Sequence, residues 1–462
     1  MPRYAISLVL AAVSLGACDG IDRATAVATG YVSHQLCSAT FVSQLDPEPF
    51  YRQAVAPILS PVSLLESHQV DRQKAEVRSR FAGLSTTHAV FRGPLGCLVL
   101  HGQPPAPVVL PPDTSAPALQ PEIAGPAIVE PDQPALKQAL DRAFAENAQP
   151  PYRNTKAVVV VRDGRVIAER YAPGYGIDTQ LVGWSMTKSI TNALIGILVR
   201  QGRLSMDGPA PIAAWSDPRD PRHAITIDNL LRMQSGLDNG QSLTANAGTA
   251  FDPSAYMVYG VRDMAAFAEQ APLKAKPGTV WNYANGNTML LSRIIRDNSG
   301  GDAAGVLALA RRELFDKLGM RHVTLEFDAT GTPIGSSHML ASPRDWARFG
   351  LLYLNDGIVG GQRLLPDGWV DYSAAPTPGS EHFGYGAGFW TERGNGEGQR
   401  YRVAHGLPAD SFMARGSNGQ YTIIVPSQRL VVVRMGPAFN DRDDMDTVAR
   451  LVADVIAATP KS

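Results

Sequence analysis

The sequence predicts an α/β fold in which helices cover one antiparallel sheet made from two distant parts of the chain. The first part is a hairpin over 157–171, whose two valine- and isoleucine-rich arms flank Asp163-Gly164, a strong hairpin turn signal. The second part is a strand pair over 421–435, which a helical pattern follows. The long segment between them, 185–353, has mainly helical and loop patterns.

The first residues have the pattern of an export signal. Arg3 gives a short basic start, and the apolar run 5–15 is too short to span a bilayer. A Leu-Gly-Ala sequence directly before Cys18 is similar to a bacterial lipobox, in which the cysteine carries lipid. We therefore expect a signal peptide over 1–18, location in the periplasm or cell envelope, and membrane attachment through lipid at Cys18. Ordinary signal-peptidase cleavage is the alternative.

Residues 19–101 are predicted to form a small N-terminal unit of short helix and strands. If Cys18 is lipidated, Cys37 and Cys97 remain as an even pair in an oxidising compartment. Their disulfide would close a loop of about sixty residues and contribute ~3–5 kcal/mol. Two unpaired buried thiols are the alternative. Prolines recur over 102–134, which indicates an extended linker or a strap on a domain surface.

Residues 135–462 have the pattern of one compact domain, and Ser185 and Lys188 form its most informative motif, Ser-x-x-Lys. Residues three apart share a helix face, so the hydroxyl and the amine can share a pocket. A lysine whose pKa is lowered by burial can accept the serine proton. Apolar residues at helical spacing follow as far as Gly202, which places the motif at the start of a core helix. The alternative is a polar cap followed by a surface lysine.

Two later stretches carry related chemistry. Tyr283 and Asn285 can offer a phenol that relays a proton and an amide that holds the lysine. A core tyrosine beside a capping asparagine is the alternative. Gly416 lies just before the last strand pair, where it would let a substrate approach the strand edge and its free N–H groups. A tight bend is the ordinary explanation of that glycine.

In this order the three motifs resemble the serine β-lactamase and penicillin-recognising hydrolase superfamily. The resemblance is strongest to its class C-like branch, which includes esterases, D-aminopeptidases and 6-aminohexanoate-dimer hydrolase. It extends over about 135–462 and includes the stretches 225–231, 235–237, 277–279 and 342–350. It implies a β-lactamase-like antiparallel sheet flanked by helices, beside an all-helical lobe, with the site between them. The N-terminal unit would then be an extension of that fold.

The resemblance also implies roles for single residues. Ser185 would be the acylated nucleophile, Lys188 its base and Tyr283 the second proton-transfer residue. Asn285 would be a positioning group, and the backbone N–H groups of Ser185 and Ser417 would form the oxyanion hole. No metal or organic cofactor is implied.

The third motif departs from the lactamase pattern. Ala414, Arg415 and Gly416 stand where β-lactamases have Lys-Thr-Gly. A side chain shifted by one residue on a strand points to the opposite face, so Arg415 is not expected to replace the missing lysine. The stretch 413–420 resembles the 6-aminohexanoate-dimer hydrolase group instead. That resemblance implies cleavage of linear amides and esters rather than β-lactams.

Composition adds few limits. The chain has 462 residues and a net charge of -1 without a block of basic residues, so we expect no nucleic-acid partner. The histidines lack metal-ligand spacing, so we expect no metal.

The predicted function is an exported serine hydrolase acting on a small ester or amide, and Tyr256 and Tyr259 lie where a substrate wall is expected. A peptidase for D-amino acids in peptidoglycan and a non-catalytic binder of cell-wall peptides are the alternatives. Composition does not indicate an oligomeric state.

Overall fold

A computed structural model of the chain describes residues 3–110, 117–243, 246–439 and 441–459. Side chains are described in these ranges except over 3–19 and 441–444. The side chain of Cys18 lies outside the described ones, so its lipidation stays a prediction. Within the described ranges, no helix has the length and apolar character needed to cross a membrane.

The N-terminal unit is one long helix packed on a small antiparallel sheet. Helix α1 (Arg3–Cys37) runs through the predicted signal segment, and two short helices follow, α2 (Pro47–Phe50) and α3 (Ala56–Leu59). The sheet has the order β1-β2-β3-β4, from Glu66–Asp71, Glu76–Phe81, Ser85–Phe91 and Cys97–Val99. The helix is longer than the short one predicted because no proline interrupts it.

Two kinds of contact hold α1 on its sheet. Hydroxyl pairs join Thr25 to Ser85 at 2.7 Å and Thr29 to Thr87 at 2.6 Å. The predicted disulfide between Cys37 and Cys97 is confirmed, and it ties the end of α1 to β4. Both cysteines are fully buried.

The described part of the remaining chain consists of many helices and three sheets. The helices are α4 (Pro134–Phe144), α5 (Thr187–Arg200), α6 (Ile227–Leu231), α7 (Pro253–Gly260), α8 (Met264–Glu269), α9 (Asn285–Asp297), α10 (Ala303–Ala310), α11 (Asp316–Leu318), α12 (Pro343–Leu354), α13 (Trp369–Ala374), α14 (Glu397–Ala404) and α15 (Asp441–Ala458). The strands are β5 (Ala157–Arg162), β6 (Arg165–Tyr171), β7 (Leu181–Val182), β8 (Val323–Leu325), β9 (Met339–Ala341), β10 (Ile358–Val359), β11 (Gln362–Arg363), β12 (Trp390–Thr391), β13 (Phe412–Gly416), β14 (Gln420–Val425) and β15 (Leu430–Met435).

The central sheet has six antiparallel strands in the order β12-β13-β14-β15-β5-β6. The two ends of the domain meet where β15 pairs with β5, which confirms the predicted sheet. Asp163 and Gly164 join β5 to β6 with φ values of 48° and 81°, as a type I′ turn requires. A small sheet of β7, β9 and β8 lies beside the start of α5, and β10 pairs with β11.

Both faces of the central sheet are buried, which explains its uninterrupted valine runs. Along β5, Val159 and Val161 belong to the larger core that contains α5 and α12, whereas Val158 and Val160 belong to the core with α4 and α15. The side chains alternate because successive residues of a strand point to opposite faces. This alternation confirms an α/β arrangement with helices on both sides.

The proline-rich stretch is a strap rather than a free linker over its described part. Its backbone binds the outer strand β6, because Val166 donates to the Ile123 carbonyl and Glu169 donates to the Val129 carbonyl. Arg344 of α12 donates to the carbonyls of Gly125 and Ala127, at 2.7 and 2.8 Å. The strap therefore covers a sheet edge that would otherwise be exposed.

A buried carboxylate of the C-terminal domain joins the N-terminal unit to it. Glu326 Oε1 accepts from the Ser38 hydroxyl and from the Cys97 backbone N–H, both at 2.8 Å. Its other oxygen lies 3.0 Å from Nε2 of His34 on α1. Since Glu326 has no solvent exposure, the two hydrogen bonds to Oε1 replace part of its water shell.

Candidate active site

Ser185 lies in a strained turn between β7 and α5. The turn is a 3-10 segment, Trp184–Met186, and Trp184 has a φ of 48°. A left-handed backbone is unfavourable for a bulky residue, and strain of this kind is common at functional sites. The Trp184 ring stacks on Tyr31 of α1 at 6.3 Å, so the N-terminal unit supports the turn that holds Ser185.

Lys188 is buried one turn later on α5, with its amine directed at Ser185. Its Nζ lies 3.0 Å from Ser185 Oγ, and it donates to Asn285 Oδ1 at 2.7 Å and to the Ser336 carbonyl at 2.8 Å. Burial lowers the pKa of Lys188 from 10.5 to about 7, because the charged form loses its hydration. Near neutral pH, a large share of these amines is therefore uncharged.

Tyr283 lies close to the same two groups. Its ring centroid is 4.9 Å from Lys188 Nζ. Burial raises the pKa of Tyr283 to about 12, although the Ser185 hydroxyl and the charge of Arg415 act against the rise. The phenol therefore keeps its proton at neutral pH.

Asn285, the first residue of α9, connects two parts of the site. Its side-chain oxygen binds Lys188, and its backbone N–H donates to the Ser242 hydroxyl at 3.1 Å. Ser242 in turn lies 2.6 Å from the Ser254 hydroxyl on α7. The predicted holding role of Asn285 thus has a geometric basis.

Gly416 is required for a close approach of backbones. A Cβ at this position would lie 2.1 Å from the carbonyl oxygen of Gly183, two residues before Ser185. The glycine therefore lets β13 lie against the nucleophile turn, a different reason from the predicted approach of substrate. Ser417 follows directly and lines the same cavity as Ser185. Their N–H groups remain the predicted oxyanion hole.

Arg415 packs on two aromatic side chains. Its guanidinium lies over the rings of Trp390 and Tyr421, 5.4 and 5.7 Å from their centroids. Its charge nevertheless acts on Tyr283 and lowers the pKa of that phenol relative to burial alone. Sequence reasoning did not foresee this electrostatic role.

A cavity of about 480 Å³ opens beside the nucleophile. Ser185, Asn285 and Ser417 line it together with residues of α1 and β2. Of the two tyrosines expected in a substrate wall, Tyr259 lines the cavity and Tyr256 does not.

The sequence did not point to two groups that contact the predicted site. The Ser336 carbonyl binds Lys188, and the Trp184 ring joins the nucleophile turn to α1. Every residue has a backbone carbonyl, so nothing in the residue types marks the one that accepts from Lys188. The aromatic residue before the motif was visible, but its left-handed backbone was not.

The fold and these motifs define the class of protein. The chain belongs to the beta-lactamase family, whose model matches residues 140–457. Members of this family are hydrolases, and among curated proteins the chain is similar to the 6-aminohexanoate-dimer hydrolase of Paenarthrobacter ureafaciens. The two are 26% identical over 291 residues, which cover 61% of this chain and 72% of the relative.

Solved structures show the same fold. A Bacillus anthracis protein provisionally named 6-aminohexanoate-dimer hydrolase has a TM-score of 0.56 and 23% identity, covering 76% of this chain and 91% of its own. A novel penicillin-binding protein homolog from Caulobacter crescentus has a TM-score of 0.53 and 18% identity, covering 73% and 100%. At these identities the likeness concerns the fold.

Proposed function

We propose that this protein is an exported serine hydrolase that cleaves a small ester or linear amide through an acyl-serine intermediate. The observation that carries the proposal is the distance of 3.0 Å between Ser185 Oγ and the buried amine of Lys188, whose pKa is about 7. The similarity to a hydrolase named for the 6-aminohexanoate dimer, a linear amide, supports the substrate class.

Lys188 acts as the base of acylation. In its neutral form the amine has two N–H groups, and the Asn285 and Ser336 oxygens accept both of them. Its lone pair is then directed at Ser185 Oγ, from which it takes the proton as the oxygen attacks the carbonyl carbon. The N–H groups of Ser185 and Ser417 stabilise the resulting oxyanion, each by roughly 3–4 kcal/mol.

Tyr283 acts as the acid. Its phenol is protonated at neutral pH and lies close to Lys188 and Ser185, so it can donate a proton to the leaving alcohol or amine. Lys188, protonated in the first step, restores the phenol proton. Water then attacks the acyl-serine. Lys188 and Tyr283 repeat their proton transfers in the opposite direction, and the acid product leaves. Opposite pKa shifts thus divide the acid and base roles between two neighbouring side chains.

Two features refine the proposal. No lysine stands in the third motif, and Arg415 packs on aromatic rings, so we propose esters and linear amides rather than β-lactams as substrates. A buried Cys37–Cys97 disulfide supports an oxidising compartment, as expected for an exported protein. Membrane attachment through lipid at Cys18 is part of the same proposal.

A fluorophosphonate probe tests the nucleophile. Folded protein should gain one covalent adduct, and peptide mapping by mass spectrometry should place it on Ser185. Ser185→Ala should lose the adduct and at least a thousandfold in kcat/KM on short esters, whereas Ser205→Ala, at an exposed position, should lose neither. Undiminished turnover by Ser185→Ala would contradict the proposal. D-Ala-D-Ala peptides in the same panel test the peptidase alternative.

A further inference from the structure

The N-terminal unit builds a wall of the cavity beside Ser185. Ala24, Ala28 and Tyr31 contribute one face of α1, and Phe81 contributes the end of β2. This wall is fixed in place, because the buried Glu326 binds Ser38 and the Cys97 backbone, and the disulfide closes the unit. The family match begins only at residue 140, so the wall lies outside the part of the chain that the family model describes.

The described residues that line this cavity carry no charged side chain. Among the described residues that line it, none is aspartate, glutamate, lysine or arginine. Most of the exposed lining is aliphatic or aromatic, and its polar residues are uncharged, including Ser185, Asn285 and Ser417 beside the nucleophile and Thr25, Asn246 and Thr249 elsewhere. An ammonium or carboxylate of the substrate inside this cavity would lose hydration without a partner of opposite charge.

The cavity mouth continues this apolar character. Ile21, Leu84 and Phe251 line it and remain 48%, 58% and 68% exposed. Large exposed apolar side chains grouped at one opening are typical of a site for an apolar ligand. The volume of about 480 Å³ falls within the range usual for small-molecule sites, about 300–1,000 Å³.

The position of Tyr283 assigns the cavity to one side of the scissile bond. Tyr283, the proposed donor to the leaving group, does not line the cavity and packs instead with Trp281, Tyr385 and Trp390 in the other core. The leaving group must face its proton donor. The acyl portion of the substrate therefore faces the cavity.

We infer that this cavity is an acyl-chain pocket and that the substrate is an ester or amide of an uncharged, medium-length aliphatic acid. The inference rests on the proposed function and narrows its substrate class. Attack by Ser185 Oγ breaks the bond to the alcohol or amine, which leaves with a proton, while the acyl chain stays in the pocket. Water then releases it as a free carboxylic acid. A zwitterionic dimer of an amino acid would fit this lining poorly.

Two substrate series test the inference on the full chain. In p-nitrophenyl esters from acetate to dodecanoate, kept below micelle-forming concentrations, kcat/KM should rise about two- to fourfold per added methylene until the pocket is full. In alkyl acetates, which lengthen the alcohol instead, kcat/KM should stay nearly constant. A flat or falling acyl series, or a rise confined to the alcohol series, would overturn the inference.

A variant pair tests the wall itself. Ala28→Phe fills part of the pocket from α1, so the ratio of decanoate to butyrate turnover should fall at least tenfold. Asp22→Phe adds the same ring to an exposed position of the same helix that does not line the cavity, and should leave that ratio unchanged. Equal ratios in both variants would argue against an acyl pocket on α1.

Labelling separates failure of the pocket from failure of the chemistry. If the fluorophosphonate labels Ser185 but the acyl series is flat, the proposed function stands and the pocket assignment is wrong. If Ser185 is neither labelled nor needed, the proposed function is wrong. A titration with decanamide, followed by the tryptophan fluorescence to which the cavity-lining Trp184 contributes, then tests the pocket by itself. Saturable quenching that Ala28→Phe weakens supports it, and no quenching overturns it.

Discussion

At the residue scale, burial moves the pKa values of two groups beside Ser185 in opposite directions. Lys188 is 2% exposed, and its pKa is about 7, while the pKa of Tyr283 is about 12. Ammonium loses hydration in the interior and so releases its proton more easily, whereas phenolate becomes less favourable and the phenol keeps its proton. One physical cause thus prepares a base and an acid.

The pH dependence of activity follows from the sign of the Lys188 shift. The base must be neutral, so kcat/KM should be low in acid, rise through a midpoint near pH 7 and level off above it. The measurement is kcat/KM for a short ester from pH 5 to 9. A midpoint near 10, the ordinary value of lysine, would contradict the proposed role of Lys188.

Replacement of Tyr283 should matter most where the leaving group needs a proton. Tyr283→Phe should lower kcat/KM about 10²–10⁴-fold on an alkyl ester or amide. The loss should be much smaller on a p-nitrophenyl ester, whose phenolate leaves unprotonated. Comparison of the two substrates checks this, and Tyr401→Phe, on the outer helix α14, serves as the control. Equal losses on both substrates would favour a structural role.

The sequence identified side chains of the predicted site better than it identified the groups that hold them. Ser185, Lys188 and Asn285 meet as the motifs implied, because a helical turn fixes the first two at a short distance. The Ser336 carbonyl and the left-handed Trp184 depend on tertiary packing, which residue types do not record.

At the element scale, short polar signals explain where helices begin around the site. Ser342 accepts from the Asp345 backbone and Pro343 opens α12, as the Ser-Pro-x-Asp sequence indicates. Thr226 and Asn229 form a capping box at the start of α6. The strap was harder to predict from the sequence. A proline-rich stretch is compatible with a free linker and also with a segment that covers an edge strand.

Gly416 gives an element-scale prediction. Gly416→Ala places a methyl group 2.1 Å from the Gly183 carbonyl oxygen, so β13 or the nucleophile turn must move. We expect a loss of about 1–3 kcal/mol in unfolding free energy, together with a lower kcat. Urea unfolding and ester turnover check both effects.

Gly125→Ala is the matched control, since a Cβ there meets nothing within 4 Å. Its stability and turnover should remain those of the parent protein. If Gly416→Ala behaved in the same way, the close approach of β13 to the turn would not matter for the site.

At the scale of the whole molecule, the N-terminal unit is part of the active site's surroundings rather than an appendage. Its sequence showed two cysteines and alternating segments but no chemistry. Its role depends on where α1 packs, through Tyr31 on Trp184 and through His34 beside Glu326. Those partners lie far apart in the sequence, so no local pattern could reveal them.

The disulfide gives a prediction at this scale. Replacement of Cys37 and Cys97 by serine should cost about 4 kcal/mol in unfolding free energy, because the open chain gains the entropy of a long loop. The same pair of changes should weaken the preference for long acyl chains. Cys18→Ser is the control and should keep both properties. Denaturant unfolding with and without reductant checks the effect on stability.

One wall of the cavity comes from α1 and β2, whereas the reacting groups come from elements after residue 140, so part of the substrate pocket and the catalytic groups have separate origins in the chain. Substitutions on the cavity-lining face of α1 therefore offer a way to change the acyl preference while Ser185, Lys188 and Tyr283 stay the same.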